Sequence, residues 1–128
     1  MTKVLVVDDS RTIRTIIRRS LVELGYEVCE ACDGNEALRM IEVGKADVKL
    51  VMTDWNMPEM NGFELLKRLR QDPDLAALTI VMVTTETEIS HMVSALDAGA
   101  NEYIMKPFTK DILKEKLELV GIFPLASV

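Results

Sequence analysis

Positive charge is scarce in this chain. Its 128 residues hold 15 lysines and arginines against 21 acids, a formal net charge of −6. That sign repels phosphate backbones and argues against nucleic-acid binding. No apolar run approaches the roughly 18 residues that a membrane-spanning helix needs. "MTKVLVV" enters a strand-like run too early for a secretory leader. Both absences lead us to expect a soluble, cytoplasmic protein with no membrane partner. Cysteine and histidine are nearly missing. Cys29 and Cys32 form one C-x-x-C, no second pair exists, and the single histidine, His91, is remote in sequence. A zinc or redox centre is therefore disfavoured. Residues three apart on a strand point to opposite faces, so we read the two cysteines as small apolar residues. Long linkers, internal repeats and low-complexity segments are absent too.

What is present is alternation. "KVLVV" (3–7), "EVCEA" (27–31), "VKLVMT" (48–53), "TIVMVT" (79–84) and "EYIM" (102–105) read as strands. Helical spacing fills the gaps. Residues 11–24 place Ile13, Ile16, Ile17, Leu21 and Leu24 on one face, and residues 35–43 follow as a short helix ending at Gly44. Asn61 caps a helix carrying Phe63, Leu66 and Leu69. Residues 87–98 carry Ile89, Met92, Val93 and Leu96 up to the stop at Gly99. Thr109 caps a last helix with Leu113, Leu117 and Val120 inward. Five β-then-α units in one chain of this length predict a single α/β domain: a five-stranded parallel sheet, doubly wound, with helices on both faces. The strands are almost wholly apolar, as strands covered on both sides must be. The eight methionines fall mostly in strands or on inward helical faces, and we read them as core filler.

The polar residues gather where such a sheet keeps its ligands, at the C-terminal ends of the strands. Strand one ends in Asp8 and Asp9, strand three in Asp54, strand four in Thr84 and strand five in Lys106; only strand two ends without evident chemistry. The common order for a five-strand doubly wound domain, 2-1-3-4-5, makes strands one and three neighbours, about 4.8 Å apart. Two carboxylates about 5 Å apart at an effective dielectric near 20 repel by about 3 kcal/mol. Lys106 and a divalent cation would offset that repulsion, and an oxygen-only donor set favours Mg²⁺. A loaded acidic pocket of this kind can take a phosphoryl group on a carboxylate. Each residue also has a plain reading. Asp9 or Ser10 could cap the first helix, Thr84 could be a β-branched strand end, and Lys106 could be a solvated lysine. Their coincidence on one edge is what calls for a joint explanation.

"VLVVDDS", "VMTDWNMPEMNG", "VMVTT" and "EYIMKPF" occur in order from Val4 onward. Together they resemble the receiver domain of bacterial two-component response regulators. "DWNMP", Glu86 and Tyr103 resemble the small single-domain chemotaxis regulators within that family. The resemblance implies a flavodoxin-like (βα)5 receiver domain over residues 1–128, with its core at about 3–120 and a tail at 121–128. It implies phosphorylation of Asp54 by a histidine kinase. It implies Mg²⁺ held by Asp9, Asp54 and the backbone carbonyl of Asn56, with Asp8 acting through water. Lys106 would contact the phosphate, Thr84 would move onto it, and Tyr103 would swing inward. Asn56 and Glu86 would tune dephosphorylation, and the Lys106–Pro107 bond would be cis. The implied protein is a signalling switch rather than a turnover enzyme. Its α4-β5-α5 surface would control an output partner such as the flagellar motor switch, and a phosphatase is a further implied partner.

Three features depart from the family pattern. Thr85 is larger than usual and could narrow access to the phosphate. Asn61 stands where Asp is common, and the tail "VGIFPLASV" is unusually apolar. His91 is read as an exposed helical residue. Other readings are a phosphorelay intermediate and the N-terminal part of a transcription regulator, though no helix-turn-helix or basic region follows residue 120. A flavodoxin-like cofactor binder would want a Gly- or Ser/Thr-rich loop after strand one, where Asp8 and Asp9 stand. A Mg²⁺-dependent phosphohydrolase would want an acid or base near Asp54, which Asn56 is not.

Overall fold

A computed structural model describes residues 1–43, 48–85 and 89–124. The strands are β1 (Lys3–Val7), β2 (Glu27–Ala31), β3 (Val48–Thr53), β4 (Thr79–Thr84) and β5 (Glu102–Met105). The helices are α1 (Arg11–Glu23), α2 (Gly34–Val43), α3 (Gly62–Arg70), α4 (Ile89–Asp97) and α5 (Lys110–Leu119). The five strands form one parallel sheet in the order β2-β1-β3-β4-β5. The expected doubly wound α/β architecture is therefore the observed one.

Strand alternation divides the core in two. Leu5, Val7, Val51, Ile80 and Met82 point to one side and pack under α2, α3 and α4. Val4, Val6, Leu50, Met52, Val81 and Val83 point to the other and pack under Ile17 and Leu21 of α1 and Leu113 and Leu117 of α5. Burial of apolar surface on both faces drives the fold, at about 25 cal/mol per Å². Local signals set the boundaries. The Ser10 side chain caps α1 by accepting from the Ile13 amide. Asn61 and Glu64 form a reciprocal capping box at α3. Gly25 and Gly99 follow α1 and α4 with φ of 99° and 112°, values that side chains with a Cβ avoid.

Two helices differ from the expectation. Ile16 is 53% exposed, because successive helical residues are about 100° apart and Ile16 lies on the far flank of an arc whose buried centre is Ile17 and Leu21. In α4, Ile89, Val93 and Leu96 are exposed and only Ala95 is fully buried. Ala95 points about 120° away from Ile89 at that same spacing. The apolar stripe of α4 thus faces outward, with Met92 only packed against the core edge. Both cysteines are free; Cys29 is half-buried and Cys32 exposed. Seven of the eight methionines are buried or packed against the core, while Met1 is exposed.

The first residues of the apolar tail are built into the fold. Ile122 is buried, and the Tyr26 hydroxyl donates to its carbonyl at 3.0 Å. The Thr2 amide and hydroxyl donate to the carbonyls of Pro124 and Phe123 at 2.9 and 2.6 Å. No described helix is long and apolar enough to cross a membrane.

Candidate functional site

β1 and β3 run side by side in register, Val7 opposite Thr53, so the residues that follow them emerge together. The Asp54 amide donates to the Val7 carbonyl at 2.9 Å and the Asp8 amide to the Ala31 carbonyl at 3.2 Å. The sheet's own hydrogen-bond ladder is thereby carried one residue past each strand. Carboxylate oxygens of Asp8, Asp9 and Asp54 lie within 4.8 Å of one another. Asp8 is buried and Asp9 exposed, with Asp54 between them in burial.

Lys106, just past β5, reaches across to this group. Its Nζ stands 3.0 Å from Asp8 Oδ2 and 3.5 Å from Asp54 Oδ2. The other Asp8 oxygen accepts from the Ser10 amide at 2.9 Å, and Asp54 Oδ1 accepts from the Trp55 amide at 2.7 Å. The Thr84 side chain, fully buried at the end of β4, is close enough to the Asp54 carboxylate to favour its charged form. Burial pushes the Asp54 carboxyl above its ordinary value. Lys106 opposes that shift, Asp8 adds to it, and the Trp55 amide and the Thr84 hydroxyl oppose it. Asp54 is therefore a carboxylate held in a place that resists its charge.

The loop after Asp54 is shaped by close approach. A Cβ at Gly62 would collide with the Asp54 carbonyl, so only glycine lets α3 begin there. The Gly62 amide donates to the Trp55 carbonyl at 2.8 Å and closes the loop. Lys106–Pro107 is cis. An open cavity of about 510 Å³ runs from the acids along α1, lined by Asp9, Ile13, Ile16, Thr85, Lys106 and Phe108 among others. Thr85 is exposed at its mouth.

Asp8, Asp9, Asp54, Thr84 and Lys106 thus come together. Asn56 is exposed on the loop two residues past Asp54, and Tyr103 is already inside, 4% exposed among the core residues of β4 and α4. Glu86 lies outside the described residues. Reading the sequence alone missed two features. His91 is not a free surface residue. Its ring stacks on Trp55 at 4.8 Å, and Trp55 stacks in turn on Phe63 at 5.0 Å. The signal was faint: one aromatic directly after a strand-end aspartate. β2 also contributes chemistry after all. Glu30, on this edge strand, holds Arg14 and Arg18 of α1 at 3.1 and 2.9 Å.

The sequence profile of the response regulator receiver domain matches residues 4–118. This chain belongs to the receiver family. Chemotaxis protein CheY1 of Helicobacter pylori is 52% identical over 119 residues, 92% of this chain and 95% of the relative. The CheY of Pseudomonas aeruginosa is 44% identical over 92% of this chain and 94% of its own length. The solved structure of chemotaxis protein CheY4 of Vibrio cholerae covers 94% of this chain and 98% of its own, with a TM-score of 0.86 at 39% identity. The receiver is thus a CheY-like signalling domain. Receiver domains generally bind Mg²⁺, and this one carries an acidic cluster of Asp8, Asp9 and Asp54.

Proposed function

We propose that this receiver accepts a phosphoryl group on Asp54 from a histidine kinase and turns that event into a change of its α4-β5-α5 surface. The supporting observation is the convergence of Asp8 and Asp54 on Lys106 from three different strands. The donor set fits a hard divalent cation. Three carboxylates share one notch, and all their donors are oxygens. Asp9, Asp54 and the backbone carbonyl of Asn56 would hold Mg²⁺, with Asp8 acting through water. Bound there, the ion supplies positive charge against the incoming phosphoryl group.

The chain's own residues do the rest. An Asp54 carboxylate oxygen attacks phosphorus in line, a P–O bond forms, and the P–N bond to the donor imidazole breaks. Lys106 stabilises the charge on the phosphoryl oxygens. The Thr84 hydroxyl moves to bond a phosphate oxygen. Tyr103 in its inward position fills the space behind Thr84, so activation shifts a two-state population toward this packing. The outward apolar stripe of α4, Ile89, Val93 and Leu96, offers a surface that an output partner would cover. By analogy with the chemotaxis relatives that partner is the flagellar motor switch, and a phosphatase would end the signal. Asn56 and Glu86 tune the lifetime. We place the protein in the cytoplasm, as a single receiver domain spanning residues 1–128.

Incubation with an acyl phosphate and Mg²⁺ should add one phosphoryl mass to the peptide containing Asp54. Asp54→Asn should stay unlabelled; equal labelling of that variant would defeat the assignment. Lys106→Ala should retain some labelling while its phosphorylated form loses affinity for the output target.

A further inference from the structure

Asp8 is held at every polar atom it has. Its amide donates to Ala31, and its two carboxylate oxygens take the Ser10 amide and Lys106. Its carbonyl oxygen accepts from Arg14 Nη1 at 2.7 Å. That last bond has a particular consequence. The carbonyl of Asp8 and the amide of Asp9 lie in one rigid plane. Fixing the oxygen fixes the plane, and with it the axis from which the Asp9 side chain departs. Asp9 itself is exposed, and little packing is available to aim it.

Arg14 is in turn immobilised. Its Nε donates to Glu30 Oε1 at 3.1 Å, and the other Glu30 oxygen is taken by Arg18 at 2.9 Å. The Arg14 side chain is 15% exposed and that of Glu30 25%, so the pair is partly shielded from water. A forked guanidinium suits this task, because one N–H can be anchored while another reaches forward. We propose that Arg14, braced by Glu30 across the β2 edge, is a positioning residue. It orients the Asp8–Asp9 peptide so that the Asp9 carboxylate points at the cation site. The inference rests on the reading of Asp8, Asp9 and Asp54 as that site.

Charge alone makes the opposite prediction. Arg14 is a cation beside a site for a dication. If it acted only through its field, removing it would tighten Mg²⁺ binding. If it positions Asp9, removing it loosens binding, because partners that orient a metal ligand typically contribute tenfold or more to affinity. The sign of the change therefore decides.

The experiment titrates the full chain with Mg²⁺ alone, following amide shifts of residues 8, 9 and 54 by NMR and checking the fold in the same spectra. Wild type should bind. Arg14→Ala should bind about tenfold more weakly. Arg14→Lys, which restores charge and a single donor, should recover part of the loss. Arg14→Met keeps the aliphatic stem and replaces the alanine variant should that one not fold. Equal or tighter binding by the neutral variants overturns the role of Arg14 and leaves the cation site intact. Failure of wild type to bind Mg²⁺ overturns the site itself and this inference with it.

Discussion

At the N-terminal rim of the sheet, Thr2, Tyr26 and Ile122–Pro124 tie the chain together with hydrogen bonds to main-chain carbonyls over buried apolar residues. At the C-terminal rim, Asp8, Asp54, Thr84 and Lys106 crowd ionisable and polar groups into a partly buried notch. The same five strands support both rims. The first arrangement lowers the energy of the folded chain. The second raises it, since like charges are brought together and stripped of water. A rim that costs stability, on a sheet able to carry a quiet one, is the rim to which the proposed phosphoryl transfer is assigned.

Substitutions should separate the two rims. The largest effect is expected for Lys106→Met, which leaves Asp8 and Asp54 without their ammonium. Urea unfolding without divalent cations should show a loss of about 3 kcal/mol, and Mg²⁺ should reduce that loss. A loss unaffected by Mg²⁺ would mean that Lys106 acts by packing alone. Next, Asp54→Asn should stabilise the metal-free protein, with a pH signature. The folded pKa of Asp54 is raised above 3.8, so between that value and the folded one the native state holds more protons than the unfolded chain. Wild-type stability from this group therefore falls as pH rises through that window. The advantage of Asp54→Asn should grow from about pH 4 upward and then level off, as read by urea midpoints across pH.

The opposite rim should behave otherwise. Tyr26→Phe removes a buried hydroxyl-to-carbonyl bond and should cost about 1 kcal/mol, leaving Mg²⁺ affinity unchanged. Burial and Glu118 raise the Tyr26 pKa to about 12. The native state thus keeps its phenolic proton while the unfolded chain loses it, and stability should fall as pH rises from 10 toward 12. That alkaline sensitivity should be smaller in Tyr26→Phe. The smallest effect belongs to neither rim. Lys110 and Glu23 pair at 3.1 Å with side chains 47% and 60% exposed. Lys110→Ala should change stability by less than about 0.5 kcal/mol, which sets the baseline against which the rims are judged.

The sheet was easy to read from sequence because its strands are short, apolar and bounded by turn residues. All five strand boundaries coincide with the observed ones. Asp8, Asp54, Thr84 and Lys106 were equally legible, because the end of a parallel strand has a known address. Helix faces were less so. The stripe of α4 reads as core by spacing alone, yet Ala95 makes the contact and Ile89, Val93 and Leu96 do not. Periodicity says which residues share a side, not which side meets the sheet. The Arg14–Glu30 brace and the ring stack on Trp55 were hidden for another reason. They join residues 16 and 36 positions apart, and no local pattern encodes such pairings.

Trp55 is the sole indole of this protein and His91 its sole imidazole, and the two rings lie 4.8 Å apart. The amide of that same tryptophan grips the Asp54 carboxylate. Light emitted under selective indole excitation therefore comes from one address, bonded to the acidic notch on one side and laid against α4 on the other. A brightness or colour change on adding an ion can be read without any attached dye, and replacing the imidazole alone will separate the helix's share of that signal from the notch's own.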